Sequence, residues 1–575
     1  MQERNVRHGG GRHRLAVPHR NKTARPATGE PGNVAHGSAV GNTAALVSAF
    51  PVFLVVALVL YYPSFQGPFL SDDIFAVLNP YVTPLSLQSV IDLFSPYGAT
   101  TTMQSEYRPM WFFWHALERH AFGDSAAAYP CYHITNVVLH SFTSGLLALL
   151  FARSGLPTLW AVLGGALFLV HPGNVEAVAW ISQLTGDAAL AFAVGALLLA
   201  PRWPLPALLC FALGLLTKPF AAVALPVAAL FTWVERDSST RASTRWAWLG
   251  AWALTLAAFV GIEIIATRGT QYDVPPMHAD AIVVARTIVA NFLRYLVMAA
   301  TGYGLAAFQQ ARPALSWFNP WWLGGAIALM LIIWRTADNL LRRRHPEGVY
   351  WAWALMSFAP ISQVIPFTHP VADRYLYFML PGFIGGALLA THAIVQQWHG
   401  LKRTIVVRGG AALAMIALAA FAFQARERAA LWVSFEQLAQ DSMRQYPDGL
   451  WAHLLRSRIA AQHGDGMRAA VELRAAFELG HRDYAHIVSD PAWGGVLRDP
   501  SFQQVLVDMA TWWINRVSTI RDPNQLQLYQ QASAYWLRGN FADARRTLER
   551  ALRVGGPMNE RVQADLSRLQ NGGSS

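Results

Sequence analysis

Between residues 44 and 424 the apolar residues of this chain come in long runs, separated by short segments that carry most of the charge. A helix that crosses the hydrocarbon core of a bilayer needs about 20 mostly apolar residues, and fewer where its flanks snorkel. The runs predict spans at 44–65, 132–152, 157–171, 183–200, 203–218, 219–234, 246–266, 320–335, 349–366, 375–396 and 404–424. The run from Arg286 to Leu305 is interrupted by Arg286, Asn291 and Arg294 at helical spacing, and predicts a helix lying in the membrane interface instead. The expected fold is all-α, a polytopic membrane protein with about eleven transmembrane helices.

Composition agrees with this reading. The 575 residues are 54% hydrophobic and 14% charged, whereas soluble proteins are roughly 25% charged. The net charge of +11 is concentrated in the N-terminal tail and in short loops, which argues for topology and against a nucleic-acid partner. Cytoplasmic loops are enriched in Lys and Arg. With the spans above, Arg4 to Arg25, Arg153, Arg202, Arg236 to Arg245, Arg335 to Arg344 and Lys402 to Arg408 fall on one side. Segments 63–131, 171–182, 267–319 and 367–374, and everything after Gln424, then lie outside. Counting 286–305 as a span would throw Arg335 to Arg344 onto the outer side.

Three regions follow. Residues 1–42, rich in Arg, Gly, His and Pro, read as a disordered basic cytoplasmic tail. No cleavable signal peptide is expected, because the first apolar run begins only near Ala44. Residues 43–425 form the membrane domain, with a long first outer loop at 63–131, and 426–575 form a helical domain. There, Ala532, Tyr535, Gly539, Phe541, Ala544, Leu548 and Ala551 follow the small-and-large spacing of a tetratricopeptide repeat. Gly464, Ala469, Leu473 and Ala476 make a weaker second copy, and an irregular helical domain is the alternative. Cys131 and Cys210 are the only cysteines, so neither a disulfide framework nor a structural zinc site is indicated.

The candidate chemistry lies in the outer segments. Asp72 and Asp73 follow the first span; such a pair can take a proton from a hydroxyl or hold a cation, although adjacent residues on an extended segment point apart and at most one serves as base. A helix cap or solvated turn is the plainer reading. Glu106, Tyr107, Arg108 and Pro109 precede an aromatic interfacial segment, Trp111 to Phe122. Arg108 either meets a phosphate or snorkels. His171 and Glu176 are expected to share a wet pocket, where they orient a sugar, bind a metal or cap a helix. Asp187 and Lys218 lie close to apolar spans, where ionisable groups are expensive and suggest function, unless they neutralise each other. Arg374, followed by Tyr375 and Tyr377, offers a planar fork to a phosphate at headgroup depth, or pairs with a carboxylate.

Taken in order, Asp72-Asp73, Tyr107-Arg108-Pro109, His133 to Asn136 with His140, His171-Pro172 through Glu176 to Trp180, Thr217-Lys218 and Asp373-Arg374-Tyr375-Leu376-Tyr377 resemble the transmembrane-and-tetratricopeptide family of protein O-mannosyltransferases and its bacterial relatives. The resemblance implies a GT-C fold, an outward-facing active site under the first loop and a polyprenyl-phosphate-linked sugar as donor. It also implies that Asp72 or Asp73 is the general base on the acceptor and that Arg374 lies near the donor phosphate. The repeats are few and degenerate, which leaves the acceptor open, and Gly186-Asp187 stands where relatives tend to carry a basic-acidic pair.

Polyprenyl phosphate is already a fair leaving group, so the reaction needs a base, positive charge for the phosphate, and orientation. Arg108 and Lys218 are further candidates for the phosphate, and His171, Glu176, Asp187 and Tyr107 for the substrate. In-line attack would invert the anomeric centre. The expected function is transfer of a sugar, a hexose, to a hydroxyl of a protein Ser or Thr on the outer face. A lipid or envelope-glycan acceptor, or a non-catalytic scaffold carrying repeats, are the alternatives. A transporter would show internal symmetry and midplane ionisable groups, and neither is found. No cofactor is indicated with certainty, and a divalent cation is left open. The expected partners are the lipid-linked sugar, the protein or glycan acceptor, membrane lipids and a protein bound through the repeats. The Ala-, Arg- and Trp-rich composition leans bacterial, which would place the protein in the inner membrane with site and C-terminal domain periplasmic.

Overall fold

The computed structural model describes residues 35–78, 85–98, 107–235, 239–267, 277–310, 312–366, 369–556 and 558–570. Most of the expected basic tail, and Glu106, lie outside these. Every regular element among the described residues is a helix, as long apolar runs require where no water is present to satisfy the backbone.

The first helix is α1 (Ala35–Tyr61). The long loop after it holds α2 (Asp72–Val77), α3 (Leu87–Phe94) and α4 (Pro109–Phe122). Next come α5 (Tyr129–Arg153), α6 (Thr158–Leu169) and α7 (Val175–Ala179). Pro172 lacks the N–H needed to continue α6, and the axis bends by 50° between Thr158–Leu169 and Pro172–Ala179. The bundle continues with α8 (Leu184–Leu199), α9 (Pro204–Thr217), α10 (Ala224–Val234), α11 (Ser239–Ala266) and α12 (Ala281–Thr301). It is completed by α13 (Pro320–Ala337), α14 (Pro346–Phe358), α15 (Asp373–Gln396) and α16 (Gly400–Ala429).

Among the described residues eight helical segments are long and apolar enough to cross a membrane, and the bent pair would make a ninth. The protein is therefore an all-α, membrane-embedded chain. Each of the eleven apolar segments of the sequence falls on helix, but several helices are shorter than the run that predicts them. α14 ends at Phe358, well before residue 366, because Pro360 follows. Two glycines let α15 lie against α14: a Cβ at Gly382 or Gly385 would strike the Ala354 backbone or the Tyr350 ring.

The bundle has two chemically distinct ends. At one, Glu235 pairs with Arg153 at 3.0 Å and with Arg245, Arg344 lies 4.6 Å from the Trp233 ring, and Arg335 meets Glu347 at 2.6 Å. Of the basic segments that the sequence groups on one side, those holding Arg153, Arg245 and Arg335 to Arg344 thus come together. The opposite end gathers Asp73, Glu176, Lys218, Asp373 and Arg374.

α12 is one of the segments of spanning length among the described residues, and part of it is tied to the second end. Ala299 accepts from His171, the Tyr295 hydroxyl bonds Ala372, and Phe292 packs on Phe358. Thr287 bonds Ala314, and Arg286 bonds the Leu315 carbonyl just before α13. The helix nevertheless runs beside α13, with Val289 and Leu293 against Gly325 and Gly324, so a segment expected to lie in the interface has the length and the packing of a spanning helix.

Past α16 the chain forms α17 (Phe435–Gln445), α18 (Leu450–Gln462), α19 (Gly466–Glu478), α20 (Tyr484–Ser489), α21 (Pro500–Ser518), α22 (Gln525–Leu537), α23 (Phe541–Val554) and α24 (Asn559–Gln570). Both stretches with the small-residue pattern form helix hairpins, α18–α19 and α22–α23. The turns use Gly464 and Gly539 at φ of +73° and +71°, a conformation costly for side chains with a Cβ. Ala469, Leu473 and Ala476 in one hairpin, and Ala532, Ala544, Leu548 and Ala551 in the other, are buried.

The loop after α12 ties this helical domain to the second end of the bundle. The Ser442 hydroxyl accepts from the Phe308 N–H at 2.9 Å and donates to the Phe308 carbonyl at 3.1 Å. The Phe308 ring stacks on Trp451 at 4.1 Å, and the Leu450 N–H reaches Gln310.

Candidate functional site

At the start of α2 the two carboxylates take opposite environments. The N-cap residue, Ser71, has φ of +52°, and this turn leaves Asp72 exposed while Asp73 is 1% exposed. Asp73 accepts from the Leu70 N–H at 2.9 Å, from the Ser182 N–H at 2.7 Å, and from the Ser182 hydroxyl. It fastens the first loop to the segment between α7 and α8. The indole N–H of Trp180, bonded to the Leu70 carbonyl at 3.2 Å, reinforces the same junction.

Burial pushes the Asp73 carboxyl up to about 7, against the pull of the Ser182 and Leu70 donors. A carboxyl with a raised pKa binds more protons folded than unfolded, so its contribution to stability is greatest at low pH and declines as pH rises. The stability of the wild type relative to Asp73→Asn is expected to fall between about pH 4 and pH 7 and to be flat above. Thermal unfolding of both proteins across that range measures it; a difference that rises with pH would contradict this environment.

Arg374 lies in the first turn of α15. Its Nη1 meets Glu176 Oε1 at 2.5 Å, and its own backbone N–H reaches Oε2 at 2.7 Å. The guanidinium lies 5.6 Å from the Trp180 ring and 5.1 Å from the Tyr375 ring. Side-chain exposure is 15% for Arg374 and 3% for Glu176. Asp72 is near enough for its charge to act on the Arg374 guanidinium. An exposed carboxylate and a fixed, partly exposed guanidinium thus lie within electrostatic range of each other.

The pocket expected for His171 and Glu176 is not formed by that pair. His171 is buried, with Nδ1 accepting from the Gly173 N–H and Nε2 donating to the Ala299 carbonyl, both at 3.0 Å. Both ring nitrogens are used in holding the bend after α6, while Glu176 serves Arg374. Tyr107 likewise points its hydroxyl at the Phe94 carbonyl, at 2.6 Å, and ties α3 to the start of α4.

Lys218 follows α9 and donates to Gln183 at 3.1 Å, so it stands close behind the Ser182 junction. Asp187 is fully buried and lies within electrostatic reach of Lys218 and beside the Tyr377 hydroxyl. Tyr377 in turn bonds His140 at 3.0 Å. Arg108 stands at the N-cap position of α4 with its guanidinium 4.3 Å from the Trp111 ring.

Several residues of this end carry no sequence signal. Ser182 and Gln183 follow the stretch with resemblance and were not singled out. Arg428 pairs with Asp373 at 3.1 Å from the last turn of α16, and Gln309 bonds the other Asp373 oxygen at 2.7 Å. His115 and Glu118, one helical turn apart on α4, form a buried pair at 2.8 Å; their spacing was legible, but the aromatic segment around them reads as membrane anchor. Among the described residues no three His, Cys, Asp or Glu side chains are grouped to hold a metal ion, so no ligand set for a divalent cation is assembled there.

An apolar groove of 230 Å³ begins at His171 and Ala299 and passes between α6, α12, α15 and α16 toward Trp351 and Leu388. It joins the end that carries Arg374 to the apolar body of the bundle. Comparison of the chain with protein-family models, with curated proteins and with solved structures finds no match to any of them.

Proposed function

We propose that the protein is a membrane glycosyltransferase of the GT-C type, which moves a hexose from a polyprenyl-phosphate donor to a hydroxyl, that of a protein Ser or Thr. The observation that carries this reading is the exposed Asp72 within electrostatic range of the Glu176-bound Arg374. Asp72 takes the proton of the acceptor hydroxyl as its oxygen attacks the anomeric carbon. The bond from that carbon to the phosphate oxygen breaks on the opposite face, and the polyprenyl phosphate departs against Arg374. Configuration at the sugar inverts. Glu176 holds the guanidinium in place, so little orientation is lost at the moment of reaction. The groove starting at His171 suits an isoprenoid chain by its apolar lining. Lys218 stands in reserve as positive charge behind the site.

The basic end belongs in the cytoplasm by the bias of Lys and Arg. In a bacterial inner membrane this sets Asp72, Arg374 and the C-terminal hairpins, read as tetratricopeptide-like, in the periplasm. About eleven helices then cross the membrane.

The test supplies the purified protein with a panel of polyprenyl-phosphate sugars and an envelope extract, and follows polyprenyl phosphate release together with sugar incorporation. One donor is expected to be consumed, with inverted configuration in the product. Donor left intact across the panel, or a product of retained configuration, would sink the proposal.

A further inference from the structure

Arg294, on α12, carries a charge that its neighbours do not cancel. Its Nη1 donates to the Asn291 side-chain oxygen at 2.6 Å, its Nη2 donates to the Arg312 carbonyl at 3.2 Å, and its guanidinium lies 5.7 Å from the Trp321 ring. All three partners are neutral. Among the described residues no Asp or Glu forms an ion pair with it: Asp448 is taken by Arg312, and Asp373 and Asp441 by Arg428. An ionised side chain in a membrane protein is costly unless an opposite charge or water meets it.

Arg294 lines a cavity of 260 Å³ together with Met298, Tyr303, Arg312, Trp321 and Tyr446. It is partly exposed, and a guanidinium has more N–H donors than the two acceptors that Arg294 meets. Arg312 brings a second positive charge to the same cavity. Its side chain is 76% exposed and that of its partner Asp448 is 75% exposed, so water screens this pair and the guanidinium is free to turn toward another anion. Two planar guanidiniums on one accessible cavity suit the oxygens of a phosphate.

The surroundings indicate where that phosphate comes from. Trp321 stands in the first turn of α13, whose far end carries Arg335 of the basic cluster, so the cavity lies at the second end of the bundle. In the loop that supplies Tyr303 and Arg312, the side chains of Tyr303, Leu315, Trp317 and Phe318 are 68%, 64%, 58% and 87% exposed. Large apolar and aromatic groups left uncovered together belong at the boundary of hydrocarbon and water, which is the depth of lipid headgroups. The apolar groove assigned to the isoprenoid is a different place. Arg294 and Met298 share one face of α12, whereas Leu296, Ala299 and Ala300, which line the groove, share another.

We infer that this cavity holds the phosphate of an anionic glycerophospholipid from the surrounding leaflet, with Arg294 and Arg312 as its ligands and the exposed aromatic loop against its acyl chains. The inference does not depend on the transferase reading. A lipid seated there braces the loop that ties the C-terminal domain to the bundle: the Tyr446 hydroxyl donates to Gln309 at 2.5 Å, and Gln309 donates to Asp373 at 2.7 Å, next to Arg374.

The full-length protein in mild detergent is titrated with phosphatidylglycerol and with phosphatidylcholine of the same acyl chains, and bound lipid is counted by native mass spectrometry. Arg294→Gln and Arg312→Gln are titrated alongside. The wild type is expected to retain one phosphatidylglycerol in preference to phosphatidylcholine, and each variant to bind it about tenfold more weakly. Arg312→Gln changes a side chain at the surface and is expected to keep the unfolding temperature of the wild type, so it decides the matter alone if Arg294→Gln fails to fold. Inorganic phosphate and polyprenyl phosphate are added as competitors to separate the other sources of the same group. Equal retention of the two lipids, or unchanged retention by Arg312→Gln, would overturn the inference. So would displacement of the lipid by inorganic phosphate, which would make the cavity a site for the free ion, or tighter binding of polyprenyl phosphate, which would give it to the donor.

Discussion

On the transferase proposed, replacing Asp72 by asparagine is expected to lower sugar transfer by about a hundredfold or more and to leave the unfolding temperature unchanged, whereas Asp73→Asn is expected to lower the unfolding temperature. The reason is position. Asp72 is exposed in the first turn of α2, so its amide loses a base and no packing. Asp73 is buried and accepts three hydrogen bonds, one from Leu70 and two from Ser182. An asparagine there has one acceptor oxygen where the carboxylate has two, and turns donor hydrogens toward an N–H. Activity assays paired with thermal unfolding separate the two roles. A stable but inactive Asp73→Asn with a fully active Asp72→Asn would reverse the assignment.

The Arg374–Glu176 pair carries the second large effect. Breaking a buried ion pair by removing one partner costs about 3–5 kcal/mol, because the other charge is left without compensation. Glu176→Ala and Arg374→Ala are each expected to destabilise by that order, and Glu176→Ala also frees the Arg374 backbone N–H from its acceptor. Replacing both with apolar residues, Arg374→Met with Glu176→Leu, is expected to regain most of the stability. Transfer should stay lost in every variant without Arg374, including the stable double replacement, since nothing then meets the departing phosphate. Recovery of transfer by the double replacement would reduce Arg374 to a structural role.

Lysine at 374 refines the point. It keeps the charge but not the planar fork, and cannot hold Glu176 and a phosphate in the same geometry.

The helical, membrane-embedded class of this protein was legible along the chain because unbroken apolarity is a local property: each run decides its own burial. The grouping of Arg153, Glu235, Arg245 and Arg335 at one end followed as well, since the alternation of apolar runs and basic turns leaves little freedom. The interruption of 281–301 by Arg286, Asn291 and Arg294 suggested a helix in the interface, yet the helix is long and apolar enough to span and packs along α13, because Arg286 and Arg294 find carbonyl and aromatic partners. Helix lengths were less legible at α14, because Pro360 sits inside a run that remains apolar.

The site depended on the fold. Which of Asp72 and Asp73 is buried is decided by Ser182, 109 residues away, and what Arg374 pairs with by Glu176, 198 residues away. His171 looked like a partner of Glu176 from their closeness in the chain, yet the bend after α6 turns its ring to the Ala299 carbonyl on α12. The cavity beside Arg294 has its walls in α12, in the loop after it and at the end of α17, and no local pattern announces it. Sequence by itself determined that the chain is helical, where it is apolar and which residue types are available for chemistry, because these depend on each residue and its near neighbours. Tertiary structure decided which carboxylate is exposed and which charges are paired, because desolvation and hydrogen bonding are set by groups that only folding brings within 3 Å.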